Sequence, residues 1–161
     1  MARTKRITTM NWTILTSLVA VVPSIAMAQV HWERYSIPQT GTSVDIPRSI
    51  FTEHAGHSDP YGERFTTRDG RAELTVQTGP NTDRDTPAVF LVKNHPPSSI
   101  QYKRVTGRFF AVSGYKHDKV YYSRCNFSRG LIHCVMIDYP ASEERDWDGI
   151  VTRISLSLSG K

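Results

Sequence analysis

Val120-Tyr-Tyr-Ser-Arg-Cys125-Asn-Phe-Ser128-Arg129-Gly130-Leu131-Ile-His-Cys134-Val-Met-Ile-Asp-Tyr139 is the stretch that decides the fold. Both arms are rich in aromatic and β-branched residues, the composition of strands, and Arg129-Gly130 between them has the form of a two-residue hairpin turn. Pairing outward from that turn sets Ser128 against Leu131 and Cys125 against Cys134. Pairs alternate between hydrogen-bonded and non-hydrogen-bonded sites, and the cysteines fall on the second kind, with Cα atoms about 4.5 Å apart, close enough for a disulfide. They are the only two cysteines in 161 residues. Their spacing on facing strands points to a structural bridge, because a redox pair is more often Cys-x-x-Cys at the start of a helix. His133 beside Cys134 is no zinc pair, since neighbouring residues on a strand point to opposite faces.

Outward from this hairpin, Ile100–Thr106, Phe109–Ser113, Lys119–Cys125 and Leu131–Tyr139 read as a four-stranded antiparallel meander with turns at Gly107, Gly114 to Asp118, and Gly130. After Pro140 the spacing of Trp147, Ile150, Val151, Ile154 and Leu158 makes one apolar stripe on a helix, with Ser142 as its cap and Glu143 and Glu144 in its first turn. Thr86-Pro87 opens a short middle helix through Val92, which Pro96-Pro97 stops. Upstream, His31–Ile37 and Ser43–Ile46 are short strands. Arg64–Thr67 and Arg71–Thr78 flank an Asp69-Gly70 turn, and Thr52 to Glu63 reads as an exposed polar loop. A sheet with helices set on it is an α+β fold: an antiparallel meander covered by a C-terminal amphipathic helix and a short middle helix.

Residues 1–28 carry Arg3, Lys5 and Arg6, an apolar run from Trp12 to Val22, and Ala26-Met27-Ala28, the three parts of a cleaved export signal. The expected mature chain is a single α+β domain, 29–161, periplasmic or secreted, without a membrane span. Removing the signal takes three basic residues and no acid, so the net charge falls from +5 to +2. That balance gives no reason to expect nucleic acid as a partner. Length excludes a multi-domain machine, and 39% hydrophobic with 22% charged residues excludes disorder.

Three segments together resemble the PsbP-like and DcrB-like α/β/α sandwich proteins. They are Tyr35-Ser-Ile-Pro with Gly41 and Val44-Asp-Ile-Pro47, Phe110-Ala-Val-Ser-Gly114 with Tyr121-Tyr122, and Tyr139-Pro140 with Trp147-Asp-Gly-Ile-Val-Thr-Arg-Ile154. The resemblance implies that sandwich fold and a non-catalytic accessory or binding role. It carries over no functional residue.

No Gly-x-Ser-x-Gly, His-Glu-x-x-His or Ser-x-x-Lys is present, and no catalytic residue or cofactor is expected. His133 and Asp138 lie five residues apart on one strand and so face opposite sides, which makes them no dyad. His117 beside Asp118 belongs to a solvated turn. His54, His57 and Asp59 are the candidates for a metal, and a metal-dependent envelope enzyme built on them is the alternative function. Charge patterning gives the leading one. From Gln101 to Gly130 the net charge is +6, whereas from Asp138 to Asp148 five acids stand against Arg145. A basic sheet face with Lys103, Arg108 and Arg124, helped by Tyr121 and Tyr122, is expected to recognise an anionic envelope ligand or an acidic envelope protein.

Overall fold

The computed structural model describes residues 30–94 and 99–160. The export signal expected at 1–28 lies outside the described residues, as does the expected Pro96-Pro97 stop.

The hairpin at 119–140 is the centre of the molecule. Arg129 and Gly130 both take positive φ, 50° and 75°, the conformation of a two-residue turn that matches the twist of its strands. Strands β8 (Lys119–Ser128) and β9 (Leu131–Pro140) pair without a register shift from Ser128 opposite Leu131 to Lys119 opposite Pro140. Cys125 and Cys134 face each other, Cα to Cα 4.1 Å, and are disulfide-bonded. The regular register also keeps His133 and Asp138 on opposite faces.

Beside β8 lie β7 (Phe109–Lys116) and then β6 (Ile100–Val105). Beside β9 lie β5 (Glu73–Pro80), β4 (Tyr61–Thr66) and β3 (Glu53–His57). All neighbours are antiparallel, in the order β3-β4-β5-β9-β8-β7-β6. A separate hairpin, β1 (Trp32–Ile37) and β2 (Thr42–Pro47), makes a two-stranded sheet.

Alternation along the strands sorts the side chains between two layers. Leu74, Val76, Val135 and Ile137 point to one face, where helix α2 (Glu144–Ser157) and the β1–β2 hairpin cover them with Trp147, Val151, Ile154, Val44 and Ile46. Trp147 seats the helix: its ring stacks on Tyr139 at 5.2 Å and lies 5.7 Å from Phe51. Phe110, Val112, Cys125, Ile132 and Cys134 point to the other face, beneath helix α1 (Pro87–Lys93). There Phe90 packs on Phe110 and Phe127. Thr86 caps α1 by accepting a hydrogen bond from the Val89 amide, 3.3 Å, with Pro87 at the first helical position.

Three local expectations are corrected. The stretch 52–63 is not a loop: it contains β3 and the start of β4, paired across a bulge at His54 and Gly56. Asp69-Gly70 does turn the chain between the two strands, with the Gly70 amide donating to the Thr67 carbonyl (2.9 Å), but the strands are set further back than expected. They end at Thr66 and begin again at Glu73, and Asp69 holds the connection by accepting from Thr67 Oγ1 (2.6 Å) and the Arg71 amide (3.1 Å). Ser142 does not cap α2 either. A 3-10 turn, Ala141–Glu143, runs into the helix, and Glu143 stands at the cap position without a side-chain capping bond.

The last described residues close the core. Ser159 pairs with Ser43 as an isolated antiparallel bridge. Arg34 ties both sides: its guanidinium donates to Asp45 Oδ1 (3.0 Å), the Ser157 carbonyl (2.9 Å), Ser43 Oγ (2.8 Å) and Ser159 Oγ (2.9 Å). Underneath, His133 is fully buried, with Thr42 Oγ1 2.7 Å from Nδ1 and Ser128 Oγ 3.0 Å from Nε2. Thr42 in turn bonds the hydroxyl of Thr78. Gly160 lies against the imidazole so closely that a Cβ there would stand 2.2 Å from Nε2.

Two outcomes follow from this arrangement. Replacing both Cys125 and Cys134 with Ala lowers the unfolding free energy by about 2.5 kcal/mol, the loop-closure value for so short a ring, read as a shift in denaturant midpoint. An unshifted midpoint would mean that strand pairing alone holds the hairpin. The His133 pKa is lowered below 6.5 by burial, against which a backbone hydrogen bond with Ser128 acts in the opposite sense. The unfolded chain therefore takes up a proton that the folded one refuses, so stability is full above about pH 6.5 and falls as the pH drops below it. His133→Gln flattens that fall, by at most about 1.4 kcal/mol per pH unit, in a series of unfolding curves between pH 8 and 5. A variant as acid-sensitive as the wild type would place the proton elsewhere.

Candidate binding cleft

The same alternation that builds the core decides which basic residues act together. Arg124 on β8 stands opposite Ala111, which stands opposite Arg104, so both guanidinium groups rise from the α2 face of the sheet. Tyr122, Ser113 and Tyr102 form the neighbouring cross-strand row on that face. Helix α2 lies over β8, β9 and β2 and leaves this end of the sheet open. The result is a cleft of about 400 Å³ between the helix and strands β6 to β8.

Each wall has its own chemistry. On the sheet side, Arg124 stacks 4.3 Å over the ring of Phe109 and donates from Nε to Asn126 Oδ1 at 3.0 Å, which fixes its plane. Arg104 lies 5.5 Å from the same ring. Neither arginine is ion-paired among the described residues. Where sheet and helix meet, Tyr122 of β8 and Ser155 of α2 share a hydrogen bond of 2.5 Å. Burial raises the Tyr122 hydroxyl, more than its bond to Ser155 and the charge of Arg124 lower it. Glu144 accepts from Tyr115 Oη at 2.8 Å, and Asp148 completes an acidic rim. Tyr139, at the deep end, is pushed up to about 12 by burial and by the charges of Glu144 and Asp148. It is a neutral hydroxyl at any physiological pH, not a base.

This arrangement divides the basic set expected from the sequence. Arg124 and Tyr122 are in the cleft. Tyr121 points to the α1 face, and so does Lys103, which pairs with Val112. Arg108 sits between β6 and β7, in neither layer, with its carbonyl accepting from the Phe127 amide. The strands thus bring two of the five named residues together and add Arg104, Tyr102 and Phe109. Arg104 stood in the charge count, and a paired layout of the meander would have found it.

The histidine candidates are brought together on a different partner. His57 Nδ1 lies 2.9 Å from Glu63 Oε1, and His54 Nδ1 lies 3.4 Å from Glu63 Oε2. His54 also packs edge-on against Phe65 at 5.0 Å. Asp59 is in the β3–β4 turn, before the cis Asp59-Pro60 bond, and joins neither. Among the described residues no group of three or more His, Cys, Asp or Glu side chains could hold a metal ion. No described helix is long and apolar enough to cross a membrane.

No family model and no curated protein matches the sequence. Among solved structures, the chain is similar to the solution structure of cyanobacterial PsbP (CyanoP) from Synechocystis sp. PCC 6803. The TM-score is 0.62 at 9% sequence identity, over 88% of this chain and 99% of that one. An antiparallel sheet with one long helix packed on it and a likeness that spans nearly the whole of the other chain show, at this identity, the fold alone: it is PsbP-like α+β.

Proposed function

We propose that the protein is an exported, non-enzymatic binding module of the cell envelope that holds an anionic ligand with a flat or apolar body in the cleft between α2 and β6 to β8. The observation that carries this reading is the pair Arg104 and Arg124, unpaired and set over one aromatic ring, with Tyr102 and Tyr122 beside them. Guanidinium groups held flat by stacking present their N–H forks to a phosphate or carboxylate, and the aromatic floor accepts a sugar or ring face. The acidic rim of Glu144 and Asp148 rejects a second negative charge and accepts hydroxyl donors. Phosphorylated envelope glycans have this chemistry. The export signal and the disulfide support an oxidising compartment.

The test is thermal unfolding and calorimetric titration with glucose 6-phosphate and phenyl phosphate, with glucose and phenol as uncharged controls. A ligand at about 100 times its dissociation constant adds about 2.7 kcal/mol, several degrees for a domain of this size. Binding weakens with salt, and Arg104→Ser or Arg124→Ser weakens it by about tenfold or more, the value of one charge-assisted hydrogen bond. Affinity unchanged in the double variant would overturn the cleft. A chelator-reversible shift with divalent metal, lost in His54→Ala and His57→Ala, would favour the metal-dependent enzyme instead.

A further inference from the structure

On the opposite face of the sheet, helix α1 stops short and leaves a groove of about 320 Å³ beneath and beside it, within the range of small-molecule sites. Its floor is built in cross-strand rows. Phe110, Cys125, Cys134 and Gln77 form one row, and Val112, Ser123, Met136 and Thr75 the next. Phe90 and Leu91 of α1 wall this apolar end. The following row changes character: Gly114, Tyr121, Asp138 and Glu73 stand side by side, and beyond them come Lys116 and Lys119. Asp138 and Lys116 both line the groove, and neither is in an ion pair among the described residues. Desolvation raises the Asp138 carboxyl, and the charges acting on it are Lys119, Glu73 and Lys116. One end of the groove is therefore apolar and shaped for a ring or branched chain, and the other offers separate acidic and basic groups.

We propose that this groove is a second binding site, independent of the cleft, for a small zwitterion with an apolar body: a free amino acid with a large apolar side chain. The ammonium faces Asp138, the carboxylate faces Lys116, and the side chain lies over Val112 and the disulfide toward Phe110. The proposal follows from charge complementarity. A purely apolar ligand makes use of neither charge, whereas a ligand carrying a single charge is attracted by one and repelled by the other.

Calorimetric titration with L-phenylalanine, phenethylamine and 3-phenylpropionate tests it. L-Phenylalanine binds at a single site, and each analogue, lacking one charge, binds about tenfold or more weakly. Asp138→Asn removes the preference for L-phenylalanine over 3-phenylpropionate, and Lys116→Met removes the preference over phenethylamine. Both residues are exposed, so the variants keep the fold, and their unfolding midpoints check this. Ser123→Trp, which fills the floor, abolishes binding, while Arg104→Ser with Arg124→Ser leaves it unchanged. The proposal is overturned by any of three results: no heat with L-phenylalanine at millimolar concentration, analogues as tight as the amino acid, or loss of binding in the arginine variant.

Discussion

Everything in this fold is referred to the register of one hairpin. The turn at Arg129 and Gly130 admits a single pairing of β8 with β9, and the Cys125–Cys134 bridge locks it. A slip by one residue would turn every side chain of both strands to the opposite layer. Because β8 and β9 are central in a seven-stranded sheet, the slip would propagate through β5 on one side and β7 on the other. The same constraint that buries Val135 and Ile137 beneath α2 turns Tyr121 and Tyr122 to different faces. Core and candidate sites thus have one cause.

Where the sequence was legible, a local rule and the tertiary context agreed. The turn of the β8–β9 hairpin, the Thr86-Pro87 start of α1 and the apolar stripe of α2 each follow from residues close together in the chain. Strand β3 did not, because Glu53-His-Ala-Gly-His57 has no apolar alternation: it is an edge strand with a bulge, and its pairing with β4 is what makes it a strand. The start of α2 failed for a related reason, since the chain leaves β9 through a 3-10 turn in which no side chain is needed as cap.

The candidate site was legible as composition and not as geometry. The excess of basic residues in the meander is real, but charge counted along a sequence ignores which side of a pleated sheet each residue takes. Antiparallel register divides Lys103 from Arg124 and joins Arg104 to Arg124 across Ala111. The acidic stretch after Asp138, read as suited to a helix start, turns out to supply the facing wall of the cleft through Glu144 and Asp148. Histidines 54 and 57 illustrate the complementary case: their common partner, Glu63, lies on the neighbouring strand, and proximity in sequence had favoured Asp59 instead.

The closure of the core by residues 157 to 160 has a consequence for the order in which the molecule can assemble. Strand β2 gains its outer partner at Ser159, Arg34 gains two of its four acceptors at Ser157 and Ser159, and the roof over His133 is Gly160. These contacts join the first strands of the sheet layers to a segment more than a hundred residues downstream. A chain made N-terminus first can pair β1 with β2 early, but it cannot seat that hairpin until the whole meander and α2 have followed. Such long-range closure delays the final step of folding until residues 157 to 160 are available and leaves the inner faces of β1 and β2 uncovered until then.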